Sequence, residues 1–221
     1  MASEFPLPHT ETLLIDAYLS AWEVEQYTYE VFDRLAFSSW EVAASTDLRA
    51  TVECALKFGQ SSGTVRISLD ALSASLAPQS RSLIRFDCTV DWHERHRFLK
   101  FELPLNLWSQ EATFDSAFGV ATRPTHRNTS WEQAKFEVAA HKFADYSEFG
   151  YGLAILNDCK YGYSIQGNVM QLSLLRAPTM PDEEADQGKQ EFAFAIYPHL
   201  GKYAESDVQT VSRAFNNPLR G

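Results

Sequence analysis

No stretch of this sequence is apolar for long enough to cross a bilayer, which takes about 20 consecutive apolar residues in a helix. The opening residues MASEFPLPHTETLL hold no basic segment followed by an apolar run, so no secretory leader is expected. Basic residues are scarce. Nineteen Lys and Arg stand against 29 Asp and Glu, a formal net charge of -10, and no basic run offsets the deficit. That balance excludes a phosphate backbone or an anionic membrane surface as partner. Only three cysteines occur, Cys54, Cys88 and Cys159, with no CxxC among them. This excludes a disulfide framework and points to reduced, buried thiols in an intracellular protein. GxSxG, GxGxxG, HExxH and the P-loop are all missing. There is no internal repeat and no low-complexity tract, so residues 1–221 read as one domain.

What is present is apolar material in alternation. Hydrophobic residues make up 45% and aromatics 13%, enough for a substantial core. In LIRFDCTVDW, Ile84, Phe86, Cys88, Val90 and Trp92 share one face, and Arg85, Asp87, Thr89 and Asp91 the other. This period of two predicts a half-buried strand. ATVECALKF and TVRISLDAL repeat the pattern on either side of the turn GQSSG, as a hairpin would. EFAFAIYP alternates through Phe192, Phe194 and Ile196, with Pro198 expected to close it. YGLAILN and VMQLSLLR are two further runs, with DCKYGYSIQGN between them as a loop. Val208, Val211 and Phe215 fall at helical spacing near the C-terminus. The expected fold is therefore all-β, an antiparallel sandwich with a short C-terminal helix. One segment, SWEQAKFEVAAHKFAD, fits two patterns. Ser130 and Gln133 form a capping-box spacing, yet Ala134, Phe136, Val138 and Ala140 alternate as in a strand.

Chemistry-bearing residues are few. His126 and His141 lie fifteen positions apart, and His93 and His96 three apart, with no supporting Cys or Asp at ligand spacing. They predict hydrogen-bonded side chains rather than a metal site. Asp182, Glu183, Glu184 and Asp186 read as a solvated acidic loop. Lys160 beside Cys159 is positioned to lower that thiol's pKa, though a small residue filling a strand end suits the position too. Asp158, Lys160, Tyr161 and Tyr163 form a polar, aromatic loop of the kind that binds sugars, or an ordinary hairpin.

The blocks RPTHRNTSW, AKFEV, HKFADYSE, YGLAILNDCKYGYS, LSLLRAP, PDEEADQG and YPH, in that order, closely resemble the C-terminal β domain of glycoside hydrolase family 38 α-mannosidases, in the cytosolic and vacuolar branch. The likeness covers about residues 86–199. It departs at Trp108, where the family usually has a polar residue, and at Ala139 and Phe143, which implies repacking.

The resemblance implies a large galactose-mutarotase-like supersandwich and a role in hydrolysing terminal α-mannosyl residues of oligosaccharides. It implies that AKFEVAAHKF is strand. It implies that the zinc, the nucleophile and the acid/base carboxylate lie in a separate catalytic domain that no part of this sequence resembles. The chain itself is then expected to hold no metal and no cofactor, and to be inactive alone. Arg176, Asp158 and Tyr161 become candidate sugar contacts. Thr125, His126, Asn128 and Trp131 become candidate contacts to the catalytic domain. The setting implied is cytoplasmic or vacuolar. A second reading is a stand-alone carbohydrate-binding or interaction module without hydrolytic activity.

Overall fold

The computed structural model describes residues 11–16, 32–71 and 82–217. Two antiparallel sheets face each other. The larger has nine strands in the order β3 (Phe37–Ser45), β4 (Arg49–Phe58), β5 (Ser61–Asp70), β6 (Ile84–Trp92), β15 (Gly188–Leu200), β12 (Tyr151–Asn157), β11 (Phe143–Ser147), β8 (Glu111–Ser116), β9 (Gly119–Pro124). The smaller has six, in the order β10 (Val138–Ala139), β13 (Gly162–Gln166), β14 (Val169–Leu175), β7 (Arg97–Pro104), β1 (Glu11–Asp16), β2 (Phe32–Leu35). This is the expected all-β sandwich. Two short helices, α1 (Ser130–Gln133) and α2 (Val208–Asn216), complete the described elements with one 3-10 turn at Tyr203–Glu205.

The alternation read along β4, β5 and β6 is realised in registered pairs. Cys54 faces Val65 across β4–β5, and Val65 faces Cys88 across β5–β6. Cys54, Leu56, Val65, Phe86, Cys88 and Val90 are all buried. The sheets are clasped by three rings. Phe86 of β6 stacks on Phe194 of β15 at 4.7 Å, and Phe101 of β7 tilts onto Phe194 at 4.6 Å and Phe86 at 5.5 Å. Burying one such side chain contributes about 1.5–3 kcal/mol. Near this clasp an apolar cavity of about 140 Å³ lies between the sheets, lined by Leu56, Val65, Leu99 and Leu174 among others. A second core lies on the outer face of the large sheet. There Ala154, Ala193 and Ala195 are small enough for α2 to settle on the sheet, with Val208 and Phe215 buried against it.

Four expectations need correction. The loop DCKYGYSIQGN holds a strand, β13, which pairs with β14 from Gly162↔Ser173 to Gln166↔Val169. Pro198 does not close β15, which runs on to Leu200. Pairing of β15 with β6 ends at Ile196, so an imide nitrogen at 198 removes nothing from that ladder. Cys159 is exposed rather than buried. AKFEVAAHKF is not one strand. α1 occupies its approach, and only Val138 and Ala139 pair, beside Tyr163 and Gly162. The His141 N–H then donates to Asp115 O on β8, and β11 begins at Phe143 in the large sheet. The segment crosses from one sheet to the other, and a single strand cannot belong to both.

Candidate functional site

Strands β9 and β10 are edges of different sheets, and α1 bridges the gap between them. The helix starts one residue earlier than the Ser130–Gln133 spacing suggests. Thr129 is the N-cap, its hydroxyl accepting from the Glu132 N–H, while Glu132 Oε2 accepts from the amides of Thr129 (2.9 Å) and Asn128 (2.7 Å). Those amide bonds hold the Glu132 carboxyl below its ordinary pKa, against the opposing effect of burial, which is the largest single influence. His126 Nδ1 lies 3.3 Å from the same carboxylate, close enough for an ion pair when protonated but not aligned for a hydrogen bond. The cap thus fixes α1 rigidly, and Trp131 projects from it with 78% of its surface exposed. Asn128 is exposed too, and His126 half-exposed.

Thr125 does not reach that surface. It is buried, its hydroxyl donating to Ser109 O at 2.6 Å, its N–H to Gln110 O and its carbonyl accepting from Gly167 N–H. Its place is beneath the face, tying the end of β9 to the turn after β13. Beside α1 is a pocket of about 130 Å³, lined by Arg123, Trp131, Glu132, Lys135, Ser164 and the apolar Phe114, Val138 and Ile165, with Thr122 and Pro124 completing it.

The other three predicted residues lie at the opposite end of β13. Tyr161 precedes it, exposed, with its ring edge-on to His141 at 6.3 Å. Asp158 uses both carboxylate oxygens, each 3.1 Å from the Ala193 N–H. Arg176 follows β14, with its guanidinium carbon 5.8 Å from the centroid of the Phe98 ring. Asp186 accepts the backbone N–H groups of Arg176 (3.0 Å) and Ala177 (2.9 Å), and Ala177 takes φ of 48°, a rare left-handed position for a side-chain-bearing residue. So the acidic loop is divided. Asp182, Glu183 and Glu184 are exposed, with Glu184 paired to Arg95 at 2.6 Å, while Asp186 is a half-buried brace.

One charge pair is absent from the predictions. Lys100 on β7 is fully buried, its ammonium 2.6 Å from Glu137 and 5.0 Å from the Phe98 ring centroid. Ser173 donates to the same carboxylate. Burial pushes the Lys100 pKa down, and Glu137 pushes back. The signal for it in the sequence was a Lys flanked by Leu99 and Phe101 within the strand RFLKFELP. A second pair is also sealed. His199 Nε2 lies 2.6 Å from Asp145, with both side chains at most 1% exposed. Burial lowers the His199 pKa, but the Asp145 bond and charge outweigh it and the net shift is upward. A Cβ at Gly152 would come within 2.5 Å of His199 Cε1, so the pair is closed by a residue without one.

Among the described residues no three His, Cys, Asp or Glu side chains converge as metal ligands. His93 pairs with Asp91 at 3.0 Å and His96 bonds Thr179 at 2.9 Å, so neither is set up to hold zinc. Cys159 carries no activated thiol. Burial and Asp158 push its pKa up to about 11, and Lys160, which would lower it, is the smaller influence.

The sequence matches the family "Glycosyl hydrolases family 38 C-terminal domain" over residues 9–184. It is 41% identical over 207 residues to alpha-mannosidase 2C1 of Homo sapiens, covering 93% of this chain and 19% of that protein. It is 42% identical over 199 residues to the alpha-mannosidase of Saccharomyces cerevisiae, covering 89% of this chain and 18% of the yeast protein. The chain thus spans about a fifth of the length of these relatives. Its fold is that of part of a solved alpha-mannosidase from Enterococcus faecalis V583, with a TM-score of 0.75, 14% identity, and coverage of 94% of this chain and 27% of that one.

Proposed function

Because this chain belongs to the glycosyl hydrolase family 38 C-terminal domain family, we propose that it is the β-sandwich portion of an α-mannosidase, packed on a catalytic domain and rimming its sugar pocket. One observation carries this reading. Nearly the whole chain aligns with proteins named as α-mannosidases, yet accounts for under a fifth of their length. Retaining glycoside cleavage needs a nucleophile and an acid/base carboxylate about 5 Å apart across one anomeric carbon. We place both, and the zinc the family uses, in polypeptide outside these residues. Glu132, Glu137, Asp158 and Asp186 are engaged otherwise, in a cap, an ion pair and backbone braces.

The docking face is the α1 corner. Asn128 and Trp131 are its exposed members, His126 its half-exposed one, and Thr125 its support from below. An aromatic held on a capped helix loses little entropy on association and suits an interface anchor. The sugar-facing edge is Arg176 with Tyr161, and Asp158 shapes the loop between them. A guanidinium at the end of a strand can bond two hydroxyls of a mannose-containing oligosaccharide at once. The setting is cytoplasmic or vacuolar, supported by the branch of the family whose blocks the chain carries and by its three free thiols.

The test is an assay of the purified chain with an aryl α-mannoside in the presence of zinc or cobalt. The expected result is no turnover above buffer, with turnover appearing when the chain is expressed joined to the coding sequence upstream of it. Hydrolysis by the 221-residue chain alone would overturn the assignment.

A further inference from the structure

We propose that the pocket beside α1 is a second saccharide-binding site, built to hold one pyranose ring against Trp131. It goes beyond the docking role, because every group it uses lies within this chain. The pocket opens where the two sheets leave their edges unpaired, between β9 on one side and β10 and β13 on the other. Its volume is about 130 Å³.

Three observations point to a sugar. The Arg123 Nε–H is buried and lacks an acceptor, although the guanidinium is held 5.8 Å from the Phe114 ring centroid. A buried donor left unbonded is a standing penalty, relieved when the Arg123 side chain turns its Nε–H toward a ligand oxygen in the pocket. Trp131 offers an indole face at the mouth, and its 78% exposure leaves room for both a ligand and a neighbouring domain. The lining mixes signs. Arg123 and Lys135 donate, Glu132 accepts, and Ser164 does either. A simple anion would gain from the two cations but be repelled by Glu132. Hydroxyls both donate and accept, so a polyol ring satisfies all four while its C–H face covers the indole. Arg123 comes from β9, Lys135 from the residues after α1 and Ser164 from β13, three segments whose relative positions are set by the sandwich.

The experiment is an amide-resolved NMR titration of the 221-residue chain with methyl α-mannopyranoside. Shifts confined to residues 122–135 and 164–165 are expected. Trp131→Ala and Arg123→Lys should each weaken binding about ten-fold, equivalent to about 1.4 kcal/mol. Arg123→Lys keeps the charge and removes the guanidinium with its Nε donor. Trp131 is exposed, so its loss leaves the fold in place, checked by an unchanged melting temperature. No shifts at saturating glycoside, or shifts around Asp158 and Tyr161 instead, would overturn the site. Sodium acetate moving the same amides while the glycoside leaves them still would overturn the ligand class. None of these outcomes depends on whether a catalytic domain restores hydrolysis.

Discussion

On β4, β5 and β6 the charges are outside and the aromatics inside; at the α1, β10 and β13 flank, and on the β7 face it borders, the arrangement is reversed. Arg49 pairs with Asp70 and Arg66 with Glu53 directly across β4–β5, each arginine more than half exposed. The inward side carries Leu56, Phe58, Val65 and Phe86. At the flank Lys100 and Glu137 meet out of solvent, while Trp131 and Tyr161 face it. The first arrangement is what burial energetics produce when nothing else is asked of a sheet. The second runs against them. A buried ion pair is costly to assemble, and an exposed indole forfeits its transfer energy. That contrast agrees with the α1 corner proposed as the docking and saccharide surface.

Breaking the buried pair should have the largest effect. Glu137→Leu removes the carboxylate 2.6 Å from the buried Lys100 ammonium and should lower stability by about 3–5 kcal/mol in urea unfolding. Lys100→Met with Glu137→Leu should recover most of that loss. If the double variant is as unstable as the single, the pair is not the source of the cost.

Tyr146 joins scaffold to flank. Its buried hydroxyl donates to Gly167 O at 2.8 Å, lies 3.1 Å from Ser109 O and accepts from Ser109 N–H. Tyr146→Phe should cost about 1–3 kcal/mol, measured the same way, because the groups it serves cannot turn to water.

The third prediction is a pH dependence. His199 has its folded pKa raised by Asp145. Its contribution is therefore fully present below the unfolded value and is lost as pH rises through the folded one. Stability from this pair should fall as pH rises above the ordinary imidazole value of about 6.5, and His199→Gln should flatten that part of the profile. A profile unchanged by the substitution would show that the pair does not titrate in this range.

The smallest effect belongs to the scaffold surface. Arg49→Ala should change stability by no more than about 1 kcal/mol despite its two bonds to Asp70, since both side chains are 55% exposed and solvent screens them. A loss matching that of Glu137→Leu would erase the distinction between the two regions.

The regions also differ in how much of them the sequence alone determined. Strands β4, β5, β6 and β12, the sandwich class and α2 follow from local pattern. Where one face is buried, a period of two or of 3.6 is written directly in residue order, and a slip of register would expose the whole apolar set. The family blocks were equally legible. The exposed flank was not. β13 has Tyr163, Ser164 and Ile165 all buried, so it shows no alternation to read. Ala134, Phe136, Val138 and Ala140 alternate as in a strand, but the segment crosses between sheets, because the amide of His141 finds its acceptor on β8. Asp186, counted with a solvated acidic loop, is a brace because β14 ends where two amides need an acceptor. Glu137, thirty-seven residues from Lys100, becomes its counter-ion only when β7, β14 and the strand-poor segment after α1 are brought together. Pattern reports which way a side chain faces within its own strand. Which groups converge across strands, and which polar atoms are left without a partner, depends on contacts between distant residues, and only the tertiary structure decided those.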